Sequence, residues 1–236
     1  MAEESEFALQ PAADMRAAQT APVGGVNPPL HGDVKSPPHR PWVLPPQGLA
    51  VFHGDKDTAR LSHYFLPRLL LQGKQVLMLD GANCADPRLL ERLARQRRVP
   101  FEQFSRQIQI ARAFTCFQLT ELIARVPRLL TDFPAEVLIV TAFPELYYDE
   151  DVRDWNAQVA FEQALANLRR LAGQSLTLTV GLFSSATTFM PSPARRRFFE
   201  KVCTAGSEVW QFNSSAEGKL RLMCRKRIVP RNSLSS

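Results

Sequence analysis

The chain has 236 residues, of which 45% are apolar and 22% charged, and its formal net charge is +6. This composition is that of a globular protein and excludes a collagen-like repeat or a wholly disordered chain. No apolar run approaches the roughly 18 residues needed to cross a bilayer, and the acidic N-terminus lacks an apolar signal core, so a cytoplasmic protein is expected.

Residues 1–46 differ in composition from the rest of the chain. They hold nine of the 18 prolines and five acidic against three basic residues. Such a segment buries too little apolar surface to offset its chain entropy, so we predict a disordered arm over residues 1–46. Residues 47–230 are predicted to form one domain, and residues 231–236 a flexible tail. Trp42, an isolated aromatic residue in the arm, is a candidate for docking onto this chain's own core or onto another protein.

From residue 49 onward the pattern alternates between strand and helix. Apolar runs at residues 49–52, 75–79, 108–111, 136–140 and 176–182 predict five strands. Helical spacing predicts helices over residues 58–72, from residue 86 onward, and over 118–130 and 157–171. Two further runs, 209–212 and 220–224, flank a turn-forming segment and predict a β-hairpin. Repeated strand–helix units imply an α/β domain with a mainly parallel sheet, closed at one edge by the hairpin.

The reactive residue types are sparse. Four cysteines are spaced singly, and all four histidines lie within the first 63 residues. This pattern predicts no metal site and leaves no histidine in the rest of the chain to act as a base.

The turn after the first predicted strand partly matches a phosphate-binding loop. It has the first glycine and the spacing of G-x-x-x-x-G-K-[ST]. Arg60 replaces the lysine, whose flexible point charge a planar guanidinium does not reproduce, and Leu61 replaces the hydroxyl that would hold magnesium. A plain structural turn and a degenerate nucleotide-binding loop both remain open. The residues of such a loop would be Gly54, Lys56, Thr58 and Arg60, with Thr141 from a later strand.

Three segments in chain order resemble the RecA/RadA recombinase family, the strand-exchange ATPases. Residues 76–81 and 86–90 resemble the family's second strand, its turn and the following helix start. Residues 110–119 are similar to its A-R-A-(F/Y)-N segment, and residues 137–142 to its L-L-I-V-D-S strand. The resemblance covers about residues 48–230. It implies a RecA-like three-layer α/β fold with a mainly parallel central sheet and a C-terminal β-hairpin.

The departures from the family pattern concern its catalytic positions. Thr141 stands where the family has the aspartate that positions magnesium, and Gly81 or Ala82 where it has the catalytic glutamate. Because phosphoryl transfer depends on positioning and charge neutralisation, we expect no catalysis and no bound cofactor. The chain then resembles non-catalytic accessories of DNA recombination, repair or damage-induced mutagenesis, such as the ImuA-type proteins. An ATPase using ATP and magnesium at an unorthodox loop is one alternative, and a protein-interaction module without nucleic acid is another.

Clustered arginines indicate where DNA would bind. The family's mobile DNA loop corresponds to residues 184–199, which contain Arg195, Arg196 and Arg197. Arg221 and Arg225 on the last strand have the same parity and so point to one side. Single-stranded DNA is the expected nucleic-acid ligand. Alternatively, the first three arginines are merely solvated, and the last two protect a sheet edge from aggregation.

The remaining partner expectations come from the acidic segment 145–154 and from the arm. The family has its other DNA loop at the place of this segment, whose acidity argues against strand binding there and favours a basic protein partner. The resemblance implies a RecA-type recombinase or a DNA polymerase accessory as partner. It also implies self-association through the arm, where Trp42 lies at the place of the family's apolar anchor.

Overall fold

The computed structural model describes residues 10–11, 43–45, 47–55, 57–174, 178–214 and 220–228. Eight strands form one sheet in the order β1-β4-β3-β5-β6-β2-β7-β8. The strands are β1 (Gln10–Pro11), β2 (Gly48–His53), β3 (Val76–Asp80), β4 (Ile108–Arg112), β5 (Val137–Thr141), β6 (Thr179–Ser184), β7 (Glu208–Ser214) and β8 (Leu220–Arg227). Strands β2 to β7 are parallel, whereas β1 and β8 pair antiparallel with β4 and β7. The predicted α/β class, the mainly parallel sheet and the antiparallel C-terminal strand pair are thus confirmed.

Between the strands, the described residues form seven α-helices. They are α1 (Thr58–Leu61), α2 (Leu66–Leu71), α3 (Pro87–Gln96), α4 (Phe101–Ser105), α5 (Cys116–Asp132), α6 (Asp154–Gln174) and α7 (Phe198–Ala205). The helix predicted over residues 58–72 is interrupted by a 3-10 turn at Ser62–Phe65, because Pro67 has no N–H to continue the α-helical bonding. Within the described ranges, no helix is long and apolar enough to span a membrane.

The helices cover both faces of the sheet. Along each strand, alternate side chains enter two separate apolar clusters. Val51 and Leu79 pack with α5, α6 and α7, whereas Phe52 and Met78 pack with α2, α3 and α4. Burial on both faces accounts for the nearly continuous apolar runs from which the strands were predicted.

Part of the N-terminal segment is described. Gln10 and Pro11 pair with β4 at the sheet edge. Leu44 is buried in the cluster on the α2 side, and the Thr179 hydroxyl donates to the Pro45 carbonyl over 3.1 Å. Most of the predicted arm, Trp42 included, and the predicted tail over residues 231–236 lie outside the described residues.

The carboxyl ends of β2 to β6 meet at one edge of the sheet. Strand β3 leads to α3 on one face, while β5 leads to α6 on the opposite face. Where connections diverge in this way, a parallel sheet opens a crevice between the strand ends, which is where such sheets bind ligands. The turns that follow these strands are therefore candidate ligand-binding positions.

Candidate functional site

The turn after β2 is closed by its own residues. Thr58 is fully buried, and its hydroxyl donates to the Asp55 carbonyl over 2.7 Å. A Cβ added at Gly54 would lie 2.8 Å from the Thr58 hydroxyl oxygen and 3.0 Å from the Phe212 Cβ. Lys56, proposed as a source of charge for a nucleotide, lies outside the described residues. In the described part of this turn, Thr58 and Phe212 therefore pack closely against Gly54.

The Arg60 side chain is bound at the start of α3 rather than within the turn after β2. Its guanidinium pairs with the Asp86 carboxylate, with 2.7 Å between Nη2 and Oδ2. Asp86 also caps α3, since its other oxygen accepts the N–H groups of Arg88 and Leu89. Arg60 therefore ties the α1 segment to the N-terminus of α3.

The ends of β3 and β5 are joined through Asp80 and Thr141, both fully buried. The Thr141 hydroxyl donates to Asp80 over 3.0 Å and accepts the Ala82 N–H over 3.1 Å. Asp80 also accepts the N–H groups of Cys84 and Ala85 over 3.0 and 2.8 Å. Both side chains are thus occupied in shaping the turn after β3, a role for Asp80 that the sequence analysis did not identify.

At Gly81, one of the two residues that correspond to the family's catalytic glutamate, the same turn leaves no room for a side chain; the other, Ala82, is exposed. A Cβ at Gly81 would lie 2.7 Å from the Thr141 carbonyl oxygen, closer than real Cβ contacts. Burial and the neighbouring Asp80 raise the pKa of the Cys84 thiol, so this thiol is protonated and is no nucleophile. Among the described residues, no three His, Cys, Asp or Glu side chains are grouped so that they could hold a metal ion.

Glu145 corrects the interpretation of the acidic segment. Its side chain is buried, and its carboxylate accepts the hydroxyls of Ser184 and Ser185 over 3.1 Å each, together with the Ser185 N–H. Burial raises the pKa of this carboxyl, and the hydrogen bonds act in the opposite direction. Glu145 therefore joins the loops after β5 and β6. The exposed acids of the segment begin at Asp149.

Arg195 also differs from its predicted role as a DNA contact. It is only 3% exposed. Its guanidinium donates to the backbone carbonyls of residues 147, 149 and 152 and pairs with Asp154 over 2.6 Å. All its donor nitrogens are engaged by the loop between β5 and α6, so Arg195 positions this loop and does not face a phosphate.

The other four predicted arginines are exposed. Arg196 and Arg197 precede α7, where Arg197 lies 3.5 Å from Glu200. Arg221 and Arg225 lie on β8, and the Arg225 Nε donates to the Gln211 amide oxygen over 2.7 Å. Their neighbours on β8 have structural roles instead. Lys226 donates to three carbonyls at the end of α7, and Arg227 lies over the Trp210 ring.

His53 lies between α7 and β8, and the sequence analysis assigned it no role. Its ring lies 5.2 Å from the Phe199 ring on α7, two residues after Arg197. Burial and the nearby Arg225 lower the pKa of the imidazole. Its Nδ1 is buried and has no hydrogen-bond partner among the described residues. His53 thus lies near both Phe199 on α7 and Arg225 on β8. We call Arg196, Arg197, Arg221 and Arg225 the basic edge.

A cavity of about 180 Å³ lies at the opposite edge of the sheet. It is lined by Val43, Leu44 and Pro45, by α2, and by the first residues of β5 and β6. Because it lies at the amino ends of the strands, it is separate from the turns described above.

No protein-family model matches this chain, and no curated protein matches it either.

Proposed function

We propose that this protein is a RecA-like, non-catalytic cytoplasmic accessory of DNA recombination, repair or damage-induced mutagenesis that binds single-stranded DNA through the basic edge. The proposal is based on two features observed together. The positions that would hold a nucleotide are engaged by the chain's own side chains, whereas four arginines at another place are exposed.

Two lines of evidence support the RecA-like part of the proposal. The three segments that resemble the family fall on β3, β4 and β5, which are neighbours in the sheet. The position of the family's phosphate-binding lysine falls on Arg60 and that of its magnesium aspartate on Thr141, and both side chains have an internal partner. A domain that keeps the architecture but fills its nucleotide site acts by binding rather than by turnover.

The DNA-binding part of the proposal depends on exposed charge. Residues 47–236 carry 26 basic and 18 acidic residues, a net charge of +8. Arginines neutralise phosphates and release counterions, so binding of this kind weakens steeply with salt.

The test is a titration of fluorescein-labelled single-stranded DNA with the full chain, followed by anisotropy at several salt concentrations. We expect binding that is unaffected by ATP and magnesium. In an Arg221→Gln/Arg225→Gln variant, the slope of log K against log salt should fall by about 1.4, since each phosphate contact on a single strand contributes about 0.7.

The matched control is Arg169→Gln/Arg170→Gln, which removes the same charge from the exposed side of α6. It should leave the slope nearly unchanged. Absence of DNA binding at low salt would contradict a DNA site at the basic edge. An equal decrease of the salt slope in both double variants would contradict it as well. The exposed arginines of β8 would then serve only to keep the sheet edge from pairing with other chains.

A further inference from the structure

Six apolar side chains are exposed near the carboxyl edge of the sheet, on the side covered by α5 and α6. Trp155 is 72% exposed and Met190 is 99% exposed. Single exposed apolar residues are common on protein surfaces, but a contiguous group marks a binding surface. The group consists of Phe114, Phe117, Trp155, Val159, Phe189 and Met190, and we call it the α5–α6 rim.

The contacts between α5 and α6 place Phe117, Trp155 and Val159 together. Phe114 lies just before α5, where its N–H donates to the Gln118 amide oxygen over 2.8 Å. The Thr120 hydroxyl on α5 donates to the Ala160 carbonyl on α6 over 3.3 Å. Phe117 lies one turn before Thr120, and Val159 directly precedes Ala160. Trp155 is one turn before Val159, so the two share a helix face. The first turns of the two helices therefore present their apolar side chains side by side.

The loop after β6 adds the other two residues. The Ser192 hydroxyl donates to the Asp154 carboxylate over 3.0 Å, which fixes this loop against the start of α6. The Phe189 ring lies 6.0 Å from the Tyr148 ring, in the loop before α6. The loop that carries Phe189 and Met190 is thus fixed against the N-terminal end of α6, which carries Trp155.

The charge next to the rim is negative. Asp149, Glu150 and Asp151 are exposed, and Arg153 is the one basic residue among residues 149–153. The charge of Asp154 is matched by Arg195, which also binds the carbonyls of residues 147, 149 and 152. The acidic turn is therefore held in place beside the apolar side chains, in a domain whose net charge is otherwise strongly positive.

We propose that the α5–α6 rim and its acidic turn form a docking surface for a basic protein segment that carries apolar anchor residues. Charge complementarity selects this occupant. The arm of this chain has a net charge of −2, and the same surface of a second copy would bring like charges together. Trp155 would be the central anchor, because aromatic side chains dominate binding energies at such interfaces. The proposal does not depend on DNA binding, since it uses other residues.

The experiment begins with a library of random 12-residue peptides displayed on phage. The library is selected on the full chain and depleted on a Trp155→Ala variant. We expect the selected peptides to be rich in Lys or Arg and in apolar residues. A selection that yields no enriched peptides, or acidic ones, would overturn the proposal.

The most enriched peptide is then synthesised with a fluorophore and titrated by anisotropy. Trp155→Ala and Glu150→Lys/Asp151→Lys should each weaken binding at least tenfold. Asp149 is left unchanged because its carboxylate accepts the Asp151 N–H. Thermal unfolding of each variant verifies that it is folded.

Two control variants match these changes elsewhere on the molecule. Leu71→Ala removes a 54% exposed apolar side chain on α2, at the other face of the sheet. Asp132→Lys reverses an exposed charge at the far end of α5. Both should bind the peptide within twofold of the unaltered chain. Equal weakening in control and rim variants would refute the assigned surface, whatever the DNA titration shows.

Discussion

Arg195 shows how one of three consecutive arginines can have a role quite different from its neighbours. Residues 195–197 form one basic run in the sequence, yet Arg195 is buried and Arg196 is exposed. The difference arises because three backbone carbonyls of the loop between β5 and α6 converge on the Arg195 guanidinium.

Replacing Arg195 by Ala should therefore destabilise the protein, while replacing Arg196 by Ala should not. Hydrogen bonds that involve a charged group contribute about 1.5–3 kcal/mol each and are not additive, so we expect Arg195→Ala to lose about 3 kcal/mol of unfolding free energy. Arg196→Ala should stay within about 0.5 kcal/mol. Urea unfolding measures the unfolding free energy of both variants. Equal stability of the two variants would show that the guanidinium does not hold the loop.

At the scale of elements, His63 joins the interrupted helical segment 58–71 to the start of α3. The ring is fully buried. Its Nε2 accepts the Asp86 N–H over 3.3 Å, so Nδ1 carries the proton and donates to the Arg60 carbonyl over 3.0 Å. Burial lowers the pKa of this imidazole below its ordinary value of 6.5; the Arg60 guanidinium acts in the same direction, whereas its hydrogen bond and the nearby Asp80 and Asp86 act against it.

This arrangement predicts the direction of a pH effect. As the pH falls below 6.5, the unfolded chain binds a proton at His63 before the folded chain does, because the folded-state pKa is lower. The unfolding free energy should therefore fall as the pH is lowered between the two pKa values. A His63→Gln variant should lose about 1–3 kcal/mol at pH 8, because polar groups of the site lose partners. Urea unfolding at a series of pH values should show the difference in unfolding free energy between the unaltered chain and the variant becoming smaller toward pH 5.5. If that difference in unfolding free energy did not change with pH, His63 would have the same pKa in the folded and the unfolded chain.

The elements also show what the sequence could and could not predict. Strands with continuous apolar runs, such as β3 and β5, were predicted because burial on both faces leaves a clear pattern. The position of β2 between β6 and β7 follows from packing between distant segments, which local patterns do not record. The five-residue helix α4 was missed because so short a helix has almost no periodicity. At the site, Thr141 was located correctly at a strand end, but its bond to Asp80 depends on the sheet pairing of β3 with β5.

At the scale of the whole molecule, the two proposed surfaces carry opposite charges and lie on different elements. The basic edge follows β8 and the start of α7, whereas the α5–α6 rim follows the first turns of α5 and α6. A nucleic acid and a basic protein segment would each be attracted to one surface and repelled by the other.

The same whole-molecule view predicts how stability responds to nucleotide. A ligand that binds only the folded state at 100 times its Kd adds about 2.7 kcal/mol, which for a chain of this length corresponds to a shift in Tm of about 5–10 °C. Since Thr58, Arg60 and Thr141 are engaged internally, we expect about 5 mM ATP with magnesium to shift Tm by less than about 1 °C. Sodium sulfate at equal ionic strength is the control for screening of surface charge. A shift of several degrees that requires magnesium and disappears in Lys56→Ala would instead favour the nucleotide-binding alternative, because the turn after β2 would then have to open around a phosphate.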